Sequence, residues 1–428
     1  MGWSWRGFGR GADEATELPQ TPLDDRRRLK EGLPLTLRAV EDRRAVQRPV
    51  FDPALKQYPN AYRAADPRFP DPEVEAAWLE ARRLATDLVL AAVADSPWGK
   101  HLVLRGSRLL RAWFGDAARE PGDLDFVVVP REWRIEEPRT KAMFDGIARA
   151  AGHGSASGPV RISAEDAIAE DIWTYERVPG RRLVLPWTAD GLPGGIVQLD
   201  IVFNERLPTP PEPVRLPALS AGGPEAAVLG VSPELSLAWK LMWLVSDRHP
   251  QGKDLYDAVL LAESCRLRYE VLRDVFLDAE GWYALRPVTA DALGELVPAV
   301  EWRHFVSEYP RLGGDAAPYG RRLTEALAPT FDGAPQGADL RAWWMAPWLA
   351  EYRDVHEREG MTGLQKRLAA EAGPPVAVVI TRHVLGPGRC SPEDALEVML
   401  ADPAWSQWVE IYERQPHWRR EHLIPPGE

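Results

Sequence analysis

The sequence predicts an α+β fold in which a small mixed sheet, flanked by helices, is followed by a mostly helical C-terminal region. Between residues 101 and 203, short apolar segments bounded by turn residues are typical of strands, and helical patterns separate them. From Ser232 onward, apolar residues at helical spacing alternate with Pro and Gly breaks. The 428 residues are enough for two or three domains.

These patterns divide the chain into four predicted segments. Residues 1–70 have few periodic apolar positions, so we expect a poorly ordered extension. Residues 71–206 contain the strands of the predicted sheet, and residues 207–265 combine a Pro- and Gly-rich linker with two helices. Residues 266–428 are helical and rich in tryptophan, which core packing explains better than a groove for bases.

The composition argues against several classes of protein. The chain has 52 Lys and Arg against 64 Asp and Glu, and this net charge of −12 argues against a protein that coats nucleic acid with its whole surface. Two cysteines, Cys265 and Cys390, are too few for a disulfide framework, and they predict a reducing, cytoplasmic setting. No apolar run reaches the roughly 18–20 residues that span a bilayer, so we expect no membrane association.

The elements follow one another in a regular order. Pro72 lies near the start of a long helix, and Ser232-Pro233-Glu234 is typical of a helix N-terminus, with Ser as the cap and Pro in the first turn. The predicted strands are 101–105, 123–129, 182–186 and 196–203, and a helix is predicted over 139–151. The last two strands are predicted to form a hairpin, with a Gly- and Pro-rich turn near residues 191–195.

Three aspartates occupy strand positions that suit a metal ion. Asp123 and Asp125 are two residues apart, so they point to one face of their strand, and Asp200 lies on the polar face of a later apolar strand. Carboxylates so close together repel one another unless a cation lies between them, and oxygen ligands suit Mg²⁺. The pattern predicts a magnesium site for phosphoryl transfer.

A Gly-Ser pair precedes these aspartates at the end of a predicted strand. Gly106 has no Cβ where a triphosphate must approach the backbone, and Ser107 supplies a hydroxyl at the N-terminus of a helix. Asp123 follows Ser107 by 16 residues. Together these features predict attack of a hydroxyl on the α-phosphate of a nucleoside triphosphate, with pyrophosphate as the leaving group.

The combination resembles the nucleotidyltransferase superfamily of the DNA polymerase beta type, and more narrowly the AbiEii/AbiGii toxin family of type IV toxin–antitoxin systems. The narrower resemblance depends on Lys240, on Ser246-Asp247-Arg248 and on Lys253-Asp254-Leu255-Tyr256-Asp257, and it covers roughly residues 100–265. It implies that residues 71–206 form the catalytic core and that 207–265 complete the site. It also implies an RNA acceptor, such as the 3′ end of tRNA, and an antitoxin as partner.

The resemblance assigns roles to further residues. Lys240, one of only seven lysines, is expected to contact the triphosphate, because a compact ammonium suits phosphate, and Arg248 is expected to add a second contact. Asp254 is expected to orient Lys240 or to act on the acceptor hydroxyl. Arg108 departs from the family pattern, which commonly has a small residue there, and its charge is expected to aid triphosphate binding or to reflect a different acceptor.

The sequence leaves three hypotheses open. The first is a Mg²⁺-dependent nucleotidyltransferase that acts on RNA, with Asp123 and Asp125 as metal ligands and Asp200 as third ligand and base. The second is a nucleotidyltransferase that modifies small molecules of the aminoglycoside type, because these enzymes share the Gly-Ser and Asp-x-Asp motifs. The third is a catalytically inactive module that binds nucleotide, although the three carboxylates and Lys240 count against it.

Overall fold

The computed structural model describes Trp5, Phe8 and residues 16–174, 178–247, 250–279, 285–312, 314–335 and 338–423. The chain forms two compact units. The first comprises residues 1–236 and 303–314, and the second comprises residues 237–302 and 315–428. Both units are therefore discontinuous in sequence, a division that the four predicted segments do not contain.

The first unit is built around a mixed sheet of eight strands, as the sequence predicts. The strands are β3 (Leu102–Arg105), β4 (Leu124–Val128), β5 (Val160–Ile162), β6 (Ile168–Thr174), β7 (Val178–Ala189), β8 (Leu192–Val202), β9 (Glu212–Leu216) and β10 (Ala226–Gly230). Seven of these strands follow the order β5-β7-β8-β4-β3-β10-β9, and β6 pairs with β7. The pairs β4–β8 and β3–β10 are parallel, and the other pairs are antiparallel.

Four helices accompany this sheet. The longest begins where the sequence predicts it, because the Asp71 side chain accepts a hydrogen bond from the Glu73 N–H and Pro72 occupies the first turn. Its buried face includes Trp78, Val89 and Val93. The helices are α1 (Asp25–Glu31), α2 (Pro72–Asp95), α3 (Ser107–Phe114) and α4 (Pro138–Ser155), with short 3₁₀ turns at Pro53–Leu55, Gly99–His101 and Gly115–Ala117.

The expectation of a poorly ordered extension is wrong for residues 16–70. They contain α1 and a two-stranded antiparallel sheet of β1 (Pro49–Phe51) and β2 (Tyr62–Ala64). The backbone N–H groups of Leu35 and Thr36 donate to the Glu170 carboxylate on β6. These elements are too short to show a periodic pattern, and long-range contacts order them. Their apolar cluster consists of Trp5, Phe8, Leu18, Leu23, Leu33 and Leu37.

The Pro- and Gly-rich stretch 204–224 also differs from a simple linker. It contains β9, which pairs with β10 over five residues and forms one edge of the sheet. Of its six prolines, Pro208, Pro210 and Pro211 precede the strand, and Pro217 and Pro224 follow it. Pro213 lies within the strand, as is usual for an edge strand.

As the sequence predicts, every named element from Leu237 onward in the described part of the chain is helical. The stretch Arg303–Gly314 belongs to the first unit and holds most of the helix Trp302–Glu308, whereas the other helices from Leu237 onward belong to the second unit. Helix α11 bends at Gly360, where φ is +70°. Trp344 and Trp405 are buried, and the Trp405 indole donates to Gln365 Oε1. The helices from the linker onward are α5 (Pro233–Ser246), α6 (Gly252–Ser264), α7 (Tyr269–Ala279), α8 (Ala290–Leu296), α9 (Trp302–Glu308), α10 (Ala316–Asp332), α11 (Ala338–Glu371), α12 (Pro374–Leu385), α13 (Pro392–Leu400), α14 (Ser406–Arg414) and α15 (Pro416–Glu421), with 3₁₀ turns at Val297–Ala299, Pro310–Leu312 and Pro403–Trp405.

Among the helices that the structure describes, none is both long enough and apolar enough to cross a lipid bilayer.

Two leucines at the N-terminus test whether the extension is packed. Leu33 is 0% exposed and Leu29 is 69% exposed. We expect Leu33→Ala to cost about 2–5 kcal/mol of local stability, because it leaves a cavity. We expect Leu29→Ala to change stability by less than about 0.5 kcal/mol. Native-state proteolysis of residues 16–70 measures both, and equal cleavage rates for the two variants would contradict the packed extension.

Candidate active site

Strand pairing brings two of the predicted aspartates side by side. Asp125 on β4 is the direct register partner of Asp200 on the parallel neighbour β8, and paired residues point to the same face of a sheet. Asp123 immediately precedes β4. One carboxylate oxygen from each of the three residues lies within 4.8 Å of the others, and all three residues are half-buried. The fold therefore brings together the three carboxylates that the sequence predicts as a metal site.

The turn between β3 and α3 lies against the same carboxylates. Gly106 has φ +79°, and a Cβ built on it would overlap Asp125 Oδ2 and lie 3.2 Å from the carboxyl carbon behind it. Only glycine combines this backbone conformation with so close an approach. The Ser107 hydroxyl is buried and has no hydrogen-bond partner among the described residues. A buried hydroxyl without a partner is costly, and a ligand oxygen would satisfy it.

Arg108 is placed differently from the sequence expectation. Its side chain is buried, its Nη2 donates to the Pro217 carbonyl, and the same nitrogen lies 3.7 Å from Asp87 Oδ1 on α2. Burial lowers the pKa of Arg108, and Asp87 opposes this effect. Nε and Nη1 are buried without a protein partner in the described chain. The predicted triphosphate contact of Arg108 stays a prediction, and Nε and Nη1 are the atoms available for it.

A buried arginine, Arg182, forms hydrogen bonds with Asp200. This contact is not among those predicted from the sequence. Arg182 on β7 is the register partner of Asp200, and its Nε and Nη2 each donate to one Asp200 oxygen at 2.7 Å. Its third nitrogen, Nη1, donates to Asp52 Oδ2 at 2.8 Å. Arg182 is 2% exposed and thus lies between two carboxylates in the interior. Its position in the predicted hairpin opposite Asp200 is the signal that points to it.

These charges shift one another's pKa. Burial raises the pKa of Asp200, the Arg182 guanidinium opposes this, and the neighbouring Asp123 and Asp52 carboxylates raise it further, so that the net shift is upward. For Asp52, burial also acts upward, but Arg182 and Arg63 outweigh it and the pKa is lowered. Burial acts to lower the pKa of Arg182, yet Asp200 and Asp52 together raise it well above its usual range.

Arg63 on β2 is a second guanidinium near the acidic cluster. It forms an ion pair with Glu308 at 3.3 Å, and the charges of Glu308, Asp52 and Asp123 raise its pKa although burial opposes them. On the other side of Asp125, its register partner Arg105 on β3 forms a buried ion pair with Glu205 at 2.7 Å. The carboxylates are therefore embedded among fixed positive charges.

The predicted lysine belongs to a buried charge cluster in the second unit. Lys240 Nζ lies 2.7 Å from Asp254 Oδ1 and 2.9 Å from Asp257 Oδ2, and 4.8 Å from the ring centroid of Trp243. Asp254 and Asp257 are three residues apart on α6 and so share one helix face. The two roles expected for Asp254, orienting Lys240 or acting on the acceptor hydroxyl, stay predictions, and Asp257 is a second partner of Lys240 that the sequence did not indicate. Arg248 lies outside the described residues.

Comparison with known proteins gives matches to a family model and to solved structures. The family model described as nucleotidyl transferase AbiEii toxin of a type IV TA system matches residues 88–336, which is more than half of the chain. Among solved structures, the chain is similar to MenT4, a nucleotidyltransferase toxin from Mycobacterium tuberculosis H37Rv, at 17% identity and a TM-score of 0.44, covering 69% of this chain and 94% of that one. No curated protein matches.

Two lysines of α5 and α6 test the buried cluster. Lys240→Met leaves Asp254 and Asp257 as buried carboxylates without their shared cation, so we expect a loss of about 3–5 kcal/mol in unfolding free energy. Lys253 forms no ion pair with a described residue, and Lys253→Met is expected to change the value by less than about 0.5 kcal/mol. Urea unfolding followed by tryptophan fluorescence compares the two, and equal stabilities would show that Lys240 is not held as described.

Proposed function

Because the chain belongs to the AbiEii family of nucleotidyltransferase toxins, we propose that it transfers a nucleoside monophosphate from an NTP to a hydroxyl of RNA in a Mg²⁺-dependent reaction. The observation that carries the proposal is the convergence of Asp123, Asp125 and Asp200 beside the Gly106-Ser107 turn. Neither feature has an evident structural purpose, since like charges placed side by side destabilise a sheet.

The donor set fits a magnesium ion. Three carboxylates offer oxygen ligands only, and the buried Ser107 hydroxyl without a partner lies at the start of α3, where the first N–H groups lack helical acceptors. Mg²⁺ held by these carboxylates would neutralise the charge that accumulates on the triphosphate during transfer. Gly106 leaves room for phosphate against the backbone, and Ser107 donates to a phosphate oxygen.

In the proposed reaction, the acceptor hydroxyl oxygen bonds to the α-phosphorus while the bond from that phosphorus to the bridging oxygen of the β-phosphate breaks, and pyrophosphate leaves. Asp200 is our candidate for accepting the hydroxyl proton. The family resemblance makes Lys240 our candidate for the phosphate contact, a role in which its ammonium exchanges Asp254 or Asp257 for a phosphate oxygen.

The family supports one choice of acceptor and one kind of protein partner. We propose the 3′ end of tRNA as the first acceptor to test and an antitoxin as the protein that opposes the activity. A small-molecule acceptor of the aminoglycoside type shares the same donor-side chemistry, so the assay below contains both kinds of acceptor.

The first prediction concerns Asp125. We expect Asp125→Asn to lower transfer of label from α-labelled NTP by about 100-fold or more. The site loses a carboxylate that holds Mg²⁺, so the charge on the triphosphate is no longer neutralised. Asp116→Asn alters a carboxylate that is 99% exposed just after α3, and we expect it to retain wild-type transfer. The assay offers total RNA, purified tRNA and aminoglycosides in parallel, with and without EDTA. Undiminished transfer by Asp125→Asn would overturn the assignment, and label on aminoglycosides alone would exclude the RNA acceptor.

The second prediction uses two glycines at the ends of α3. Gly106 and Gly115 both have positive φ, +79° and +54°, but a Cβ at Gly115 meets nothing within 4 Å whereas a Cβ at Gly106 overlaps Asp125. Alanine strains the backbone at both positions. We therefore expect Gly106→Ala to lose at least tenfold more transfer than Gly115→Ala, about 1.4 kcal/mol of barrier, measured under saturating Mg²⁺. Equal losses would show that the approach to Asp125 is unimportant.

A further inference from the structure

The N-terminal segment Pro49–Ala64, which contains β1 and β2, carries charged side chains to the acidic cluster. Asp52 binds Arg182, and Arg63 lies near Asp52 and Asp123. This segment precedes residues 88–336, the range that the family model matches. Nothing in the family match therefore accounts for the charges that this part of the chain adds to the site.

We propose that Asp52 and Arg182 are positioning residues that hold the Asp200 carboxylate in place for a divalent cation at the Asp123–Asp125–Asp200 cluster. The inference rests on the proposed function for its catalytic meaning. The structural observation behind it is that three charged side chains contact one another in series: Asp52 of the N-terminal segment, Arg182 of β7 and Asp200 of β8.

The geometry of Arg182 fixes the orientation of Asp200. Two parallel hydrogen bonds at 2.7 Å allow the carboxylate no rotation about its own axis, and Gln198 Nε2 adds a longer contact at 3.3 Å. Asp52 holds the guanidinium from its other end. Asp52 is fixed in turn, because its Oδ1 accepts from the Ala54 N–H and its own N–H donates to the Ala61 carbonyl.

The charges explain why a second carboxylate is needed. Arg182 offsets the repulsion between Asp200 and Asp125, but an arginine paired with Asp200 alone would also weaken the attraction of that carboxylate for a cation. Asp52 shares the guanidinium charge, so Asp200 keeps more of its own. Residues that form hydrogen bonds with metal-binding carboxylates in this way change metal affinity when they are altered.

A purely structural ion pair is the competing explanation. Buried charges that lose a partner destabilise a protein wherever they lie. Such a role would lower the unfolding temperature and leave the cation affinity of the folded protein unchanged. Metal affinity measured on folded protein therefore distinguishes the two explanations.

The test is Mn²⁺ binding to the full chain without nucleotide, measured by isothermal titration calorimetry, with Mn²⁺ as the probe for the divalent site. We expect Asp52→Asn, which keeps the shape of the side chain, to raise the Kd for Mn²⁺ about tenfold. Arg182→Lys keeps the charge but cannot form two parallel hydrogen bonds, and we expect a rise of similar size. The Mg²⁺ concentration for half-maximal transfer should rise with the Kd for Mn²⁺, while the KM for NTP stays near the wild-type value.

Asp42→Asn is the matched control. Asp42 lies in the same N-terminal region and forms two hydrogen bonds with Arg44, at 2.7 and 3.0 Å. This ion pair does not contact the Asp123–Asp125–Asp200 cluster. We expect Asp42→Asn to leave Mn²⁺ binding unchanged. Thermal unfolding of each variant confirms that the protein is folded at the titration temperature, and Asp52→Asn decides the question if Arg182→Lys does not fold.

The outcomes separate this proposal from the proposed function. A folded Asp52→Asn variant with wild-type Mn²⁺ affinity overturns the positioning role, and so does a wild-type protein that binds no Mn²⁺. A wild-type protein that binds Mn²⁺ but labels no acceptor overturns the proposed function, while the comparison of Mn²⁺ affinities still decides the positioning role.

Discussion

The repulsion between Asp125 and Asp200 is the constraint around which the first unit is organised. The parallel pairing of β4 and β8 places these carboxylates directly opposite each other, and Asp123 adds a third negative charge. Fixed cations on both flanks, Arg182 on β7 and Arg105 on β3, are the register partners of Asp200 and Asp125 and make the pairing tolerable. The sheet thus places positive charge at the flanks of the acidic cluster and leaves its centre negative.

Much of this arrangement was predictable from the sequence, because it depends on local patterns. Alternation places Asp123 and Asp125 on one strand face, and the hairpin from Arg182 to Phe203 was recognisable from its apolar segments and its Gly- and Pro-rich turn. Pro72 and the pair Ser232-Pro233 indicate the starts of α2 and α5, and in the structure Ser232 Oγ accepts a hydrogen bond from the Leu235 N–H. These features act within a few residues of one another, so a single sequence reveals them.

The parts that sequence reasoning missed depend on long-range contacts. Asp52 meets Arg182 across 130 positions, and Thr36 meets Glu170 across 134. The elements around Asp52 have two or three residues of regular structure and no periodic pattern, so the N-terminal extension was predicted to be poorly ordered. Lys240 shows the intermediate case. The sequence indicates Asp254 as a partner of Lys240 and places Asp257 on the same face of the helix. Only the buried position of both carboxylates brings them to one ammonium group.

The first unit also includes residues 303–314, which follow the first segment of the second unit in the sequence. Glu308 in this stretch forms an ion pair with Arg63. Excising the family-matched range as an isolated fragment would keep the three aspartates and discard Asp52 and Arg63. Ending the fragment at Ser236 would discard Glu308 instead. The ionic surroundings of the aspartates are thus assembled from three separate stretches of polypeptide, and a minimal fragment must preserve all of them.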